Sequence, residues 1–419
     1  MCRNWAAWIA VCACLATARS ALADGVMLDE ISPRALSRGG TNQGFADNGS
    51  IIFDNPGAMV NIDGSEMIDI GADGLLVSGW YSDPQTRIDT MSTFTPLPQI
   101  AMIKKSDDGM WAYGFGVFTP AGFAERFHLI GPDGAPHVYE SFGALVKILP
   151  AVSYRVTDRL SVGATLGVGV SYAELEGPYF LQGPSLPGPL TLLHTHNEGA
   201  DLVWSAGMQY QLTDDTVFGA TYQSASPFSL HGNTSVDVLA PPLGSVRYDS
   251  TLDVEWPQSV ALGIRHDLCP HRSVGVDVIW YDWEHSFDQF TLDLHNPNNG
   301  GFPPQLTDHL PLNWRDSVSL HVGYQQEMDN GMIFRMGFIY NPNPIPDNTL
   351  TPFVQAFMEF GATVGVGFQC CGWDVDLGYV HEWGPTQHEG TSALIGGDFS
   401  DSDQRAAVDA IVLDFIKKY

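Results

Sequence analysis

The stretch Leu-Ser-Val-Gly-Ala-Thr-Leu-Gly-Val-Gly-Val-Ser-Tyr, residues 160–172, alternates strictly. Leu160, Val162, Ala164, Leu166, Val168, Val170 and Tyr172 are apolar, while Ser161, Gly163, Thr165, Gly167, Gly169 and Ser171 between them are small or polar. Side chains of an extended chain point alternately to opposite faces, so a period of two builds one apolar face. The run is also longer than an ordinary globular strand of about 5–6 residues. Large apolar residues opposite small and polar ones reverse the arrangement of a soluble barrel. A wall with lipid outside and a wide wet lumen inside requires that order.

The same alternation returns along the chain. It is carried by Val318, Leu320, Val322 and Tyr324, then by Phe334, Met336, Phe338 and Tyr340. Ala362, Val364, Val366 and Phe368 repeat it, as do Trp373, Val375, Leu377 and Tyr379. Short polar turns separate these runs at residues 106–109, 157–159, 213–215, 266–273, 328–331 and 370–372. Long loops rich in Pro, Gly and His, 177–197 and 295–312, are expected on the opposite rim. Counting between these marks predicts an all-β, transmembrane antiparallel β-barrel of roughly 14 strands over residues 65–419, with the loop asymmetry of outer-membrane barrels. The last strand carries Ile411, Leu413, Phe415 and the terminal Tyr419 on one face, the kind of ending that barrel-assembly machinery reads.

Composition narrows the class further. A formal net charge of −29 excludes a nucleic-acid partner, because phosphate binding needs clustered cations. After the leader, no run approaches the roughly 20 apolar residues of a membrane helix. Residues 1–23 read as a secretory signal peptide: Arg3, an apolar core from Trp5 to Ala18, and Ala21-Leu22-Ala23 before the cut. Cys269, Cys370 and Cys371 are too few for a disulfide scaffold. His266, Cys269 and His271 read as a polar turn rather than a metal site, and nothing calls for a cofactor. No Gly-x-Ser-x-Gly elbow, His-Glu-x-x-His pair or phosphate loop is present, so an outer-membrane hydrolase has no support. A purely structural or adhesive barrel remains an alternative.

Residues 24–64 lack the alternation. Gly, Asn, Asp and Ser dominate, yet Val26, Leu28, Leu36, Phe45, Ile51, Ile52 and Phe53 give enough apolar surface to pack. A disordered tail is one reading; a plug is favoured, since about 14 strands enclose more space than inward side chains fill. Strand three runs Trp111, Tyr113, Phe115, Val117, Thr119 and then meets Pro120, Ala121 and Gly122. Proline donates no ladder bond, so the wall is expected to break there, with a window lined by Phe118 and Phe123. Pro150 on the following strand removes another donor nearby.

Several blocks, in order, are similar to the FadL family of outer-membrane fatty-acid transporters. They are Leu28-x-Glu30, Leu36-x-Arg38, Ala46-Asp47 and Asn55-Pro56, then residues 116–127, Trp256 to Gly263, Trp314 to Ser317, and Tyr340 to Asp347. The resemblance implies a 14-stranded barrel with an N-terminal hatch in its lumen. It implies that a long-chain fatty acid or similar hydrophobic molecule lands in an outer groove. From there it would pass to a pocket beside the mature N-terminus, near Val26 and Leu28, and leave sideways into the membrane at a kink in strand three. An aromatic hydrocarbon is the alternative cargo. Outer-membrane lipid and lipopolysaccharide are the implied surroundings. Two departures stand out: the family's Asn-Pro-Ala turn is Asn55-Pro56-Gly57-Ala58 here, and Val26 stands beside the position of the family's pocket-filling aromatic.

Overall fold

The computed structural model describes residues 26–90, 94–181, 189–239 and 244–419. The leader, residues 1–23, lies outside the described residues. Fourteen antiparallel strands make one closed wall. They are β1 (Glu66–Ser82), β2 (Phe94–Lys105), β3 (Trp111–Ile130), β4 (Pro136–Arg155), β5 (Leu160–Phe180) and β6 (Leu190–Thr213). Four interrupted strands follow: β7 (Thr216–Gln223, Ser226–Val238), β8 (Gly244–Trp256, Ser259–Cys269), β9 (Arg272–Tyr281, Gln289–His295) and β10 (Gln305–Pro311, Ser317–Glu327). The ring ends with β11 (Ile333–Tyr340), β12 (Phe360–Cys370), β13 (Trp373–Trp383) and β14 (Ser402–Lys418). Each strand pairs with its neighbours in sequence, and β14 closes on β1 over Met67↔Lys418 to Ser82↔Asp403. Ser65 donates to the Tyr419 carbonyl at 2.7 Å, which sets the end of the chain against the start of the wall.

The alternation sorts the two faces as a lipid-facing wall requires. In β5, Leu166 is 63% exposed while its neighbour Thr165 is 4% exposed. Met336, Phe338, Leu377, Tyr379 and Ile411 likewise point outward, and Ser161, Ser171, Arg335 and Asp376 are buried inside. An outward apolar band in contact with lipid leaves the backbone as the only polar group at that depth, and the ladder satisfies it.

Two expected loops are partly strand. β5 continues to Phe180 and β6 begins at Leu190, so both flanks of 177–197 are strand; residues 182–188 lie outside the described residues. β9 reaches His295 and β10 begins at Gln305, so the loop expected at 295–312 is reduced to its first part. The expected turn 266–273 shortens too, because β8 runs to Cys269 and β9 starts at Arg272. The physical reason is that these hairpins outrun the membrane. β6 has 24 residues, against about 9–11 needed to cross. Beyond the lipid the apolar face is no longer demanded, and polar pairs such as His194–Glu174 hold the ladder instead.

Residues 26–62 touch the wall on all sides. Gly49 N donates to Asp69 on β1, Asn55 Nδ2 to the Met208 carbonyl on β6, Asn42 N to Asp277 on β9, and Arg34 to Asp376 on β13. These strands stand around the ring, so the segment lies within it. Two short helices shape it, α1 (Pro33–Leu36) and α2 (Ile51–Asp54), followed by a 3-10 turn at Pro56–Asn61. Ser32 caps α1 through Ala35 N, with Pro33 at the first helical position. The glycines of the inner wall are what allow so close a fit. A Cβ at Gly163 would collide with the Pro56 carbonyl, and one at Gly337 with the Gly39 backbone.

Candidate functional site

One seam in the wall is only partly joined. β2 pairs with β1 along Phe94 to Lys104, yet with β3 only from Ile100↔Val117 to Lys105↔Ala112. Pro96 and Pro98 sit at alternate positions of β2. Their missing N–H groups fall on one edge, and the ladder to β1 runs through both prolines unbroken. The donors are therefore missing on the edge toward β3, where pairing stops.

Across the seam, β3 does not end at Pro120. It runs on to Ile130, with a register shift against β4 between Phe118 and Ala121. Two residues there face one on β4, which is a β-bulge. The break expected at Pro120 thus affects the β2 edge only. The freed backbone is taken up from inside: Leu28 N donates to the Pro120 carbonyl at 2.9 Å, Gly122 N donates to the Val26 carbonyl at 3.1 Å, and Met27 bridges Ala121. An unsatisfied group in hydrocarbon would cost several kcal/mol. Three residues of the N-terminal segment thus act as a short strand against the bulge.

A cavity of about 100 Å³ opens at this place. Val26, Met27, Leu28 and Asp29 line one side, and Gly122, Phe123, Ala124 and Glu125 line another. Leu75, Asn341, Gln355, Met358 and Glu382 contribute to the remainder. Among the sequence-derived candidates, Val26, Leu28, Gly122 and Phe123 are therefore brought together. Pro120 and Ala121 stand behind them as the paired bulge. Phe118 is not part of it: fully buried, it packs on Phe53 with ring centroids 6.1 Å apart, among the segment's own apolar residues. A second apolar cavity of about 90 Å³ lies beyond Phe123, walled by Leu175, Tyr179, Phe290, Leu310 and Phe353 among others. Phe123 lines both cavities.

Asn55, Pro56, Gly57 and Ala58 stand apart from the cavities, against β5 and β6. Asn55 Oδ1 accepts from Gly57 N at 3.2 Å and its Nδ2 reaches the Gln43 and Met208 carbonyls. Gly57 accounts for the extra residue of the turn. A Cβ there would lie 2.7 Å from Met208 Cα, so only glycine lets this turn rest on β6.

The segment is held by charge as well as shape. Arg38 forms paired bonds to Asp47, Nη1–Oδ2 at 2.7 Å and Nη2–Oδ1 at 2.9 Å. Burial alone would raise the Asp47 carboxyl, but the Arg38 guanidinium outweighs it and holds it well below the usual range. Glu30 has no such cation. Burial, then the nearby Asp54 carboxylate, pushes it well above its ordinary value. The two groups have opposite linkage. Asp47 contributes stability above the unfolded value of about 3.9, lost as pH falls through its lower folded value. Glu30 contributes fully below its unfolded value of about 4.3, and that contribution is lost as pH rises through its raised folded value. Glu30 Oε1 accepts from Ile31 N, Ser32 N and Ser50 Oγ, bonds that a glutamine oxygen would keep. Glu30→Gln is therefore expected to hold the segment more firmly at neutral pH. Hydrogen-exchange protection of residues 30–54 should fall as the pH is raised well above the ordinary glutamate range in the unaltered protein, and fall less in the variant.

Sequence reasoning alone misses Asp29, Glu125, Asn341 and Gln355. Asn341 lies in the stretch Tyr340 to Asp347, where the family resemblance assigns it no role. Pro96 and Pro98, by contrast, are a legible signal: two prolines at alternate positions of one strand.

A family model described as outer membrane protein transport protein (OMPP1/FadL/TodX) matches residues 14–408. The long-chain fatty acid transport protein of Escherichia coli O6:H1 is 21% identical over 364 residues, covering 77% of this chain and 78% of that protein. A solved Pseudomonas aeruginosa FadL homologue superposes with a TM-score of 0.76 at 17% identity, covering 94% of this chain and 98% of its own. The toluene transporter TodX of Pseudomonas putida gives a TM-score of 0.77 at 16% identity, over 94% and 99% of the two chains.

Proposed function

We propose, on the premise that this chain belongs to the OMPP1/FadL/TodX family of outer-membrane transport proteins, a passive route for hydrophobic molecules that ends inside the membrane. The protein is an outer-membrane transporter and not an enzyme. Residues 24–64 act as a hatch that keeps water and ions from crossing the lumen. An apolar solute enters the outer cavity walled by Leu310 and Phe353, passes Phe123, and rests beside Val26 and Leu28. It then leaves through the seam between β2 and β3 into the bilayer. Outer-membrane lipid receives it, with lipopolysaccharide around the rim, and the C-terminal strand is the signal for barrel assembly.

One observation carries this reading: an apolar outer cavity and an inner one of mixed apolar and polar lining share Phe123, and the inner one lies beside the incompletely joined seam. Apolar walls release an apolar solute from water at no polar cost, and a seam opening to lipid spares it the aqueous side. The relatives' names, for a fatty acid and for toluene, agree on an apolar cargo and differ in its polar end.

The route is tested by restoring the seam. Pro96→Thr, Pro98→Thr and Pro120→Thr together return three backbone donors at the seam. Uptake of a radiolabelled apolar solute into vesicles should drop about tenfold, equivalent to ~1.4 kcal/mol of barrier, while binding to the purified barrel persists. A folded triple variant that transports at the unaltered rate would rule out the lateral exit.

A further inference from the structure

The charged side chains of the inner cavity are of one sign. Its lining carries the carboxylates of Asp29, Glu125 and Glu382, and among the described residues no lysine, arginine or histidine. Three oxygens on lining residues are buried with no hydrogen-bond partner: Asp29 Oδ2, Asn341 Oδ1 and Gln355 Oε1. Asn341 and Gln355 are 5% and 4% exposed, so bulk water does not serve them. The direction of the Asn341 amide is fixed by chemistry. Its Nδ2 donates to Asp29 Oδ1 at 2.5 Å, and a carboxylate only accepts, so the carbonyl is the end left over. The Gln355 amide meets another amide, its Nε2 on Gln404 Oε1 at 3.2 Å, so the acceptor that chemistry fixes is Asn341 Oδ1. Glu125 accepts from Thr90 Oγ1 at 3.2 Å.

The site therefore asks for donors. A fatty-acid anion brings only acceptors. It would set a charge beside carboxylates in a poorly screened space and lose its hydration without compensation. The buried amine of Lys147 offers no remedy: it lies over the Phe53 ring, 5.4 Å from the centroid, and does not line the cavity. The outer cavity has the same bias, with Glu174 and Asp308 among its lining residues and, among the described residues, no lysine, arginine or histidine.

We infer that the inner cavity takes an apolar molecule through a polar end that donates hydrogen bonds, a hydroxyl or a protonated amine, and turns away a carboxylate anion. The inference rests on the reading of this cavity as the solute's resting place. Asn341 Oδ1 and Gln355 Oε1 receive the donor, while Met27, Leu28, Leu75 and Met358 hold the chain.

Four ligands of one length separate the possibilities: dodecane, 1-dodecanol, dodecylamine and laurate, each displacing an environment-sensitive apolar dye from the full-length barrel at pH 7.5. 1-Dodecanol is expected to bind at least tenfold more tightly than laurate and several-fold more tightly than dodecane. Dodecylamine matching or exceeding the alcohol would show that a charged donor is accepted; failing to match it would restrict the donor to a hydroxyl. In Asn341→Leu with Gln355→Leu, the advantage of 1-dodecanol over dodecane should vanish while dodecane still binds. Laurate binding as tightly as 1-dodecanol would overturn the inference and leave the transport route intact, as would dodecane binding as tightly as the alcohol. Failure of all four, dodecane included, would overturn both.

Discussion

Arg34→Leu is expected to turn a barrel with little steady conductance into a leaky one. Arg34 is almost wholly buried, with its guanidinium 2.6 Å from Asp376 and 3.4 Å from Asp374 on β13. Its Nη1 also donates to the Asp47 carbonyl at 2.7 Å, so one side chain joins the wall to both ends of the segment's central turn. Burial alone would lower the Arg34 pKa, but Asp376, then Asp47, outweighs it and keeps the guanidinium charged throughout the accessible range. Removing one partner of a buried pair costs about 3–5 kcal/mol, because the other charge is left behind. Here Asp376 retains Arg335, so the penalty falls on the docking of the segment more than on the barrel. A segment so loosened would leave the lumen for part of the time. Planar-bilayer recordings should then show steady or flickering conductance in the variant and little in the unaltered protein. Arg34→Lys, with charge but no planar fork, should fall between them. An Arg34→Leu barrel as silent as its parent would overturn the proposed hatch role of the segment.

Much of this arrangement is legible in the order of the amino acids alone. Residues 160–172 declare the wall, because lipid on one side and a wet interior on the other leave a signature of period two. The apolar residues of 26–53 declare a packed segment. What the sequence hides is partnership across long separations. Pro120 draws attention because it interrupts a fine strand, yet the backbone around it is paired by Val26 and Leu28, almost a hundred positions earlier. The seam owes as much to Pro96 and Pro98, whose effect depends on which edge their nitrogens face, and that edge is fixed only by the register with β1. Phe118 and Phe123 are five residues apart, so strict alternation would put them on opposite faces; the bulge between them turns both inward, one onto the apolar residues of the N-terminal segment and the other between two cavities. A single extra residue reverses which face a side chain occupies, and the alternation cannot say where it is inserted. Asn341 and Gln355 are hidden for the same reason, since their unpaired oxygens exist only once Asp29 and Gln404 have taken the amide ends.

Phe123→Trp is expected to slow transport by about tenfold, or ~1.4 kcal/mol of added barrier, with the barrel intact. The ring of Phe123 lies over Gly143 on β4 so closely that no Cβ would fit there. Its position is thus set from one side by backbone, and a larger ring can grow only into the cavities on either side. Phe123→Ala should do the reverse, merging the two spaces and admitting bulkier solutes. Neither change touches the wall ladder, so thermal unfolding in detergent should move little. Gly143→Ala offers an independent handle on the same gate. Its new methyl would press the ring of Phe123 away from β4, so it should alter transport whenever that ring is present. In a Phe123→Ala background the three atoms nearest to that methyl are gone, and it should have little further effect. A double-mutant cycle on the two positions therefore isolates the gate from any general damage to the barrel. Additive effects would mean that Gly143 acts on the wall itself, and the passage between the cavities would then run elsewhere than past Phe123.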